Sequence, residues 1–284
     1  MIIRDDFLVR KVEKSDRNQL SNLIHFEFYV HRHLDWCAPL DWIGQQPFLV
    51  VEHKEKIIAT LVCPPDPKSI AWIRLFASTA EFSASHSWNA LWMEAKSNLI
   101  DQFNVSAAVS ISMKPWYQSL LERSGYREIQ RVVLLEWSQA EVKVLNHPAL
   151  KIRPAQKDDL KIIEDIDAIS FAPLWQNSLN LIELAFNQAV IASIAEWDGQ
   201  PVGYQISTST PSGGHLARLA VIPQYRRRGI AAELVTNVLD FFSHSQLNRV
   251  TVSTQHDNFS SLSLYKKLGF IRTGQEYPIL EYQF

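Results

Sequence analysis

One offset organises this sequence and decides what it can fold into. Slid against itself, Val9–Asp16 (VRKVEKSD) matches Ile152–Asp159 (IRPAQKDD) at a shift of 143. At 144, Val51–Ala59 matches Ala195–Gly203, Ile73–Ser78 matches Ala217–Ile222, and Leu120–Tyr126 matches Leu264–Phe270. Four matches in the same order at a nearly constant shift predict two copies of one fold. With 284 residues, each copy has the length of an ordinary domain. The reading is a first domain over 1–140, a linker over 141–149 inside the polar stretch Ser138–Leu150, and a second domain over 150–284.

Hydrophobic residues at 46% and charged residues at 20% give either copy enough apolar surface for a core and exclude long disorder. A net charge of −2 supplies no general field for nucleic acid or an anionic membrane, so neither is expected as a partner. Two cysteines cannot form a disulfide framework, and no apolar run has the length of a membrane span; the expectation is a soluble cytoplasmic protein, monomer or homodimer.

Each copy reads as a strand and a helix (from Asp16 and from Asp158), then two strands across a short polar turn. In the second copy these are Val190–Glu196 and Val202–Thr208 around Asp198-Gly199. A strand over His215–Val221 follows, then a basic turn and a helix burying Ile230, Leu234, Val235, Val238, Leu239 and Phe242. A strand over Arg249–Thr254, a helix over Asn258–Leu268 stopped by Gly269, and a last strand over Ile279–Phe284 complete it. Hairpins mixed with helices predict an α+β fold: a mixed, mostly antiparallel sheet with helices on both faces.

The segment Leu219–Val235, LAVIPQYRRRGIAAELV, has the physics of an anion cradle. The first amides of a helix lack internal partners and carry the positive end of the macrodipole, so they can donate to phosphate oxygens. Gly229 lets backbone approach the ligand, Ile230 anchors the helix, Ala231 keeps its first turn open, and Arg226, Arg227 and Arg228 attract a diphosphate. The bland alternative is a solvated basic loop before a surface helix.

With its Arg226-x-x-Gly229-x-Ala231 block after Leu219-Ala220-Val221, and a second block Asn258–Phe270 (NFSSLSLYKKLGF), the sequence resembles the GCN5-related N-acetyltransferase (GNAT) superfamily. The resemblance implies two tandem acyl-CoA N-acyltransferase-like domains, with acetyl-CoA as co-substrate, no metal, and a small-molecule or peptide amine attacking directly in a ternary complex. It implies donor contacts from Leu219, Ala220, Val221, Arg226, Arg227, Arg228, Gly229, Ile230, Ala231 and Asn258, and Tyr265 as general acid. Shifted by 144, Arg226, Gly229 and Ala231 fall on Phe82, Ser85 and Ser87, Asn258 on Lys114, and Tyr265 on Leu121. The first copy has lost the cradle and is expected to be degenerate, with Ser85 and Ser87 as available helix caps.

The general base stays open among His215, Glu183, His256 and Asp257. A non-catalytic acyl-CoA-binding regulatory module is the alternative to an enzyme, and an interaction protein in which both copies are scaffolds is a third. His31, His33, Asp35 and Cys37 are metal-ligand types at alternate positions, without a second ligand pair at a known spacing. Seven of nine tryptophans lie in the first copy; most are read as packing, with Trp36, Trp42 and Trp116 as candidates for an acceptor pocket.

Overall fold

A computed structural model describes residues 7–138, 147–245, 247 and 249–284. The chain forms two compact units: 1–129 together with 277–284, and 130–276.

The first unit contains β1 (Phe7–Lys11), α1 (Arg17–Phe26), β2 (Tyr29–Arg32), β3 (Phe48–His53), β4 (Lys56–Val62), β5 (Ile70–Trp72), β6 (Leu75–Ser78), α2 (Ala84–Phe103), β7 (Ala107–Ile111) and α3 (Pro115–Arg123). One sheet runs β1-β3-β4-β6-β2. Strand β5 lies parallel to β7. Next come β8 (Arg127–Ser138), β9 (Leu150–Pro154), α4 (Leu160–Ser170), α5 (Leu179–Gln188), β10 (Ile191–Trp197), β11 (Gln200–Thr210), β12 (Gly213–Val221), α6 (Ile230–His244), β13 (Arg249–Gln255), α7 (Phe259–Lys267) and β14 (Ile271–Gln283). In the second unit the order is β8-β13-β12-β11-β10-β9. Among the described ladders of β8 to β13, all are antiparallel except β12 with β13, in keeping with the mixed, mostly antiparallel α+β architecture expected.

The repeat is written into side-chain geometry. Arg10 binds Asp16 at 2.7 Å and Glu52 at 2.8 Å; Arg153 binds Asp159 at 2.7 Å and Glu196 at 2.6 Å. In both copies the same aspartate accepts a backbone N–H three residues earlier, from Glu13 and from Gln156, closing the turn that starts the first helix. Both hairpins turn on consecutive left-handed residues, Lys54-Glu55 (φ 48° and 64°) and Asp198-Gly199 (φ 50° and 81°), as a two-residue connection demands.

The units are bounded differently from the expected 1–140 and 150–284. Strand β8 pairs with β13 from Ser138↔Arg249 to Val132↔Gln255, and its Val133, Leu135 and Trp137 pack with Leu216, Val235 and Phe242 in the second unit. The end of β14 pairs with β7 from Ile279↔Ile111 to Gln283↔Ala107, and Leu280 joins Trp88, Leu91 and Tyr117 in the core of the first unit. Apolar alternation makes both segments strands; only tertiary pairing decides which core they complete. Of the expected linker, 141–146 lie outside the described residues.

Candidate active site in the second unit

Strand β12 is paired on both edges only for part of its length. Its parallel ladder with β13 covers Gly214↔Val250, His215↔Thr251 and Leu216↔Val252 and then stops. The register against β11 shifts at the same place: Ser207 faces Leu216 and Ile206 faces Arg218, leaving Ala217 as a bulge. A bulge bends and twists the strand that carries it. Beyond it, Leu219, Ala220 and Val221 keep their partners on β11 but have no partner on β13. The N–H of Ile222 bonds to Val202 O, so strand alternation turns the main-chain groups of Leu219 and Val221 toward the open edge.

At the end of that edge the chain makes a short turn, passes through left-handed residues Arg227 (φ 65°) and Gly229 (φ 84°), and enters α6. Among the described backbone hydrogen bonds, the amides of Arg227 to Ala232 have no acceptor; the first helical bond runs from Glu233 N–H to Gly229 O at 3.0 Å. A Cβ built on Gly229 would meet nothing within 4 Å. Unpartnered amides, a helix N-terminus and open space at the glycine fit a diphosphate. Ile230 is buried against Val202, Val221 and Leu234, with Ala231 packed on the same cluster, which fixes the first turn of the helix.

The three arginines are not equivalent. Arg226 donates from Nε to Val221 O at 2.9 Å and from Nη2 to Ser170 O at 3.0 Å, tying the end of β12 to the end of α4. Arg228 lies over the rings of Tyr225 and Trp197, 5.0 and 5.3 Å from their centroids. Arg227 is exposed on the turn. Asn258 caps α7: its Oδ1 accepts the Ser261 N–H at 3.2 Å while Nδ2 donates to Thr254 Oγ1 at 3.2 Å. Tyr265 is buried in the cluster that includes Leu216 and Val252, the last paired rung, and Phe270, and Leu219 packs against that cluster. Burial pushes its phenol up, keeping it protonated throughout the neutral range.

The candidate bases are dispersed. His215 sits on the last paired rungs, its Nδ1 2.9 Å from Thr251 Oγ1; since that hydroxyl donates to Gly214 O, Nδ1 is the protonated nitrogen. Burial lowers its basicity. Glu183 lies 3.8 Å from Lys157. His256 Nδ1 accepts the N–H of Arg131, and Asp257 accepts from Gln130 at 2.8 Å, so both help hold β8.

A buried ion pair escaped the motif reading. Asp167 is fully buried on the apolar face of α4 beside Ile163 and Ile166. It accepts from Tyr204 Oη, from Arg218 Nε at 2.8 Å and from the Asn177 N–H at 2.9 Å. Arg218, next to the bulge, also donates to Trp175 O and stacks 3.7 Å from the centre of the Phe171 ring. One arginine thus fastens the 171–177 loop to the strand that opens. Two signals were present: an aspartate in an apolar row, and an arginine kept in both copies, since Arg218 falls on Arg74. Arg74 is likewise buried on an aspartate, Asp35, at 3.0 Å.

The first unit repeats the opening and fills it. The β5–β7 ladder ends at Trp72↔Val109, and β6, the counterpart of Leu219–Val221, carries β4 on one edge and β2 on the other, from Tyr29↔Ser78 to Arg32↔Leu75. The edge that stays free in the second unit is taken here by the chain itself. Helix α2 is capped by Ser83, which accepts the His86 N–H at 3.4 Å, not by Ser85 or Ser87. His31 lies 3.3 Å from Ile73 O and stacks on Tyr117, Asp35 is paired to Arg74, and burial raises the Cys37 thiol to about 11. Among the described residues no group of three or more such side chains could hold a metal ion, and no helix is long and apolar enough to cross a membrane.

Residues 160–270 match the model of the Acetyltransferase (GNAT) family, inside the second unit. Over 64 residues the chain is 44% identical to N-alpha-acetyltransferase MAK3 of Arabidopsis thaliana, covering 22% of this chain and 34% of that protein. The chain therefore spans about a third of the length of that relative. A putative [ribosomal protein bS18]-alanine N-acetyltransferase of Bacillus subtilis is 23% identical over 118 residues, 42% of this chain and 78% of that protein. In fold, a tandem GNAT protein from the clavulanic acid biosynthesis pathway superposes with a TM-score of 0.68 at 12% identity, covering 98% of each chain. The splayed strand, the amide-lined turn and the matched segment agree: residues 160–270 carry a domain of the Acetyltransferase (GNAT) family, and the chain has the fold of two tandem acyl-CoA N-acyltransferase-like domains.

Proposed function

We propose that the second unit is an N-acetyltransferase that moves the acetyl group of acetyl-CoA to a primary amine, and that the first unit carries no donor. The supporting observation is the free edge of β12 beyond Leu216, ending at the unpartnered amides of Arg227 to Ala232. The main-chain groups of Leu219 and the N–H of Val221, whose carbonyl is held by Arg226, would pair with the amide-bearing arm of the donor as another strand would, and the amides at 229–232 would take its diphosphate. That alignment sets the thioester beside the amine, which is where most of the rate gain of a two-substrate reaction originates. As the C–N bond forms and the C–S bond breaks, the amine loses a proton to a base or to water and Tyr265 gives its own to the departing sulfur. Relatives with the matching segment include N-alpha-acetyltransferases, which makes the α-amine of a peptide the first acceptor to test.

A second reading, a module that binds acyl-CoA without turnover, draws support from the burial of Tyr265, which packing alone accounts for. Calorimetric titration with acetyl-CoA, followed by a thiol-release screen over peptide N-termini, amino acids, polyamines and aminoglycosides, separates the two. Saturable binding with thiol release supports the enzyme; binding with no release from any amine supports the module; no binding overturns both.

A further inference from the structure

The first unit holds an open cleft of about 580 Å³, lined among others by Tyr29, Phe82, Ser85, Trp116, Ser119 and Arg123. Its position follows from the repeat. Shifted by 144, the wall Ala80–Ser85 becomes Gln224–Gly229 and the wall Pro115–Arg123 becomes Phe259–Lys267, the turn and helix on either side of the second unit's anion cradle. The space has been kept while its chemistry has been replaced. Phe82 stands where Arg226 does, Ser85 where Gly229 does, and the Ser83 hydroxyl already occupies an amide at the start of α2. The charged side chains lining the cleft, Glu81 and Arg123, are one of each sign, so no net side-chain charge draws a diphosphate there. What has been gained is aromatic surface: the half-buried rings of Tyr29 and Trp116 meet edge to face at 5.2 Å, and exposed Phe28 extends the row with its ring 5.2 Å from Tyr29. Ser85 and Ser119 add hydroxyls that an alkyl chain would leave without partners. The volume lies within the roughly 300–1,000 Å³ of small-molecule sites, and aromatic walls with a few hydroxyls are their usual lining.

We propose that this cleft binds an uncharged planar aromatic molecule carrying hydroxyl groups, with the chemistry of a nucleoside stripped of its phosphates. Stacking on the face of Trp116, with Tyr29 nearly perpendicular to it and meeting the ligand edge to face, supplies the affinity, and the serine hydroxyls orient the ligand. The site is separate from the proposed donor site and does not depend on it.

The test is calorimetric titration of the full chain with adenosine and, in parallel, with 5′-AMP, each repeated on Trp116→Ala, Ser119→Phe and Gly229→Glu. Adenosine is expected to bind saturably and at least tenfold more tightly than 5′-AMP. Trp116→Ala, which removes the stacking wall, and Ser119→Phe, which fills the space, should each weaken it at least tenfold in proteins whose circular dichroism is unchanged, and Gly229→Glu should leave it unaltered. Absence of saturable binding, tighter binding of 5′-AMP, loss on Gly229→Glu, or indifference to both first-unit variants would overturn the proposal. Acetyl-CoA titrated into the same proteins reads the second unit separately, so failure at one site is not mistaken for failure at the other.

Discussion

At the scale of single residues, Gly229 carries two requirements that its variants separate. Its φ of 84° disfavours any side chain by about 1 kcal/mol, while the space its Cβ would enter is open, so Gly229→Ala should fold with a small loss of stability. The methyl group would nevertheless stand among the amides offered to the diphosphate. The expected result is a weakening of acetyl-CoA binding by about tenfold, and by far more in Gly229→Glu, both read by calorimetry. Tyr265 separates chemistry from binding. If the phenol protonates the leaving sulfur, Tyr265→Phe should lower kcat by roughly 10²–10⁴-fold and leave the acetyl-CoA dissociation constant unchanged, measured by thiol release and titration on the same protein. A catalytic rate unaffected by the loss of the hydroxyl would assign the residue to packing. The phenol is raised by burial, so it stays protonated as pH rises through the neutral range, and an alkaline fall in rate there would have to come from another group.

At the scale of elements, the decisive feature is a strand shared between two partners and then released. Arg218 sits next to the bulge that releases it and binds Asp167, Tyr204 and the carbonyl of Trp175. Arg218→Met would leave a buried carboxylate without its cation and should destabilise the second unit by about 3–5 kcal/mol, seen as a lower denaturation midpoint. Arg218→Lys, which keeps the charge and loses the fork that grips Asp167, should recover part of that loss. Most of these elements were legible in the sequence. The Asp198-Gly199 turn, the apolar row of α6 and the Gly269 stop all follow from local rules, and the repeat carried them to the first copy. What was not legible depends on pairing between distant segments. Nothing in Tyr29–Arg32 says that four residues will occupy the edge of β6, and nothing in Ile279–Phe284 says that they will complete the core of the first unit. Asp167 and Arg218 were visible as residues, but their partnership required the loop that brings Trp175 and Asn177 to them. Of the motif residues, Gly229, Ile230 and Ala231 form the turn into α6, and Arg226 and Asn258 each hold backbone, which the motif alone does not reveal.

At the scale of the whole molecule, the two copies have diverged in what their openings hold, and one consequence is a dependence on acid. Burial holds His31 down to about 3 and His33 well below its usual value. The folded chain keeps these rings neutral, whereas the unfolded chain protonates them below about pH 6.5. The stability they confer is therefore complete above that pH and is lost as pH falls toward 3, at about 1.4 kcal/mol per pH unit for each ring. Urea midpoints measured from pH 7 to pH 4 should fall accordingly, and His31→Gln should flatten the slope whatever its effect at pH 7. The deeper consequence is stoichiometric. On the proposed function, an edge filled by its own strand in the first unit and left free among the described residues of the second predicts one donor per chain. Calorimetric titration of the full chain with acetyl-CoA tests this most directly: the prediction is a single site, abolished by Gly229→Glu, and the contradiction would be two sites, or one that survives that substitution.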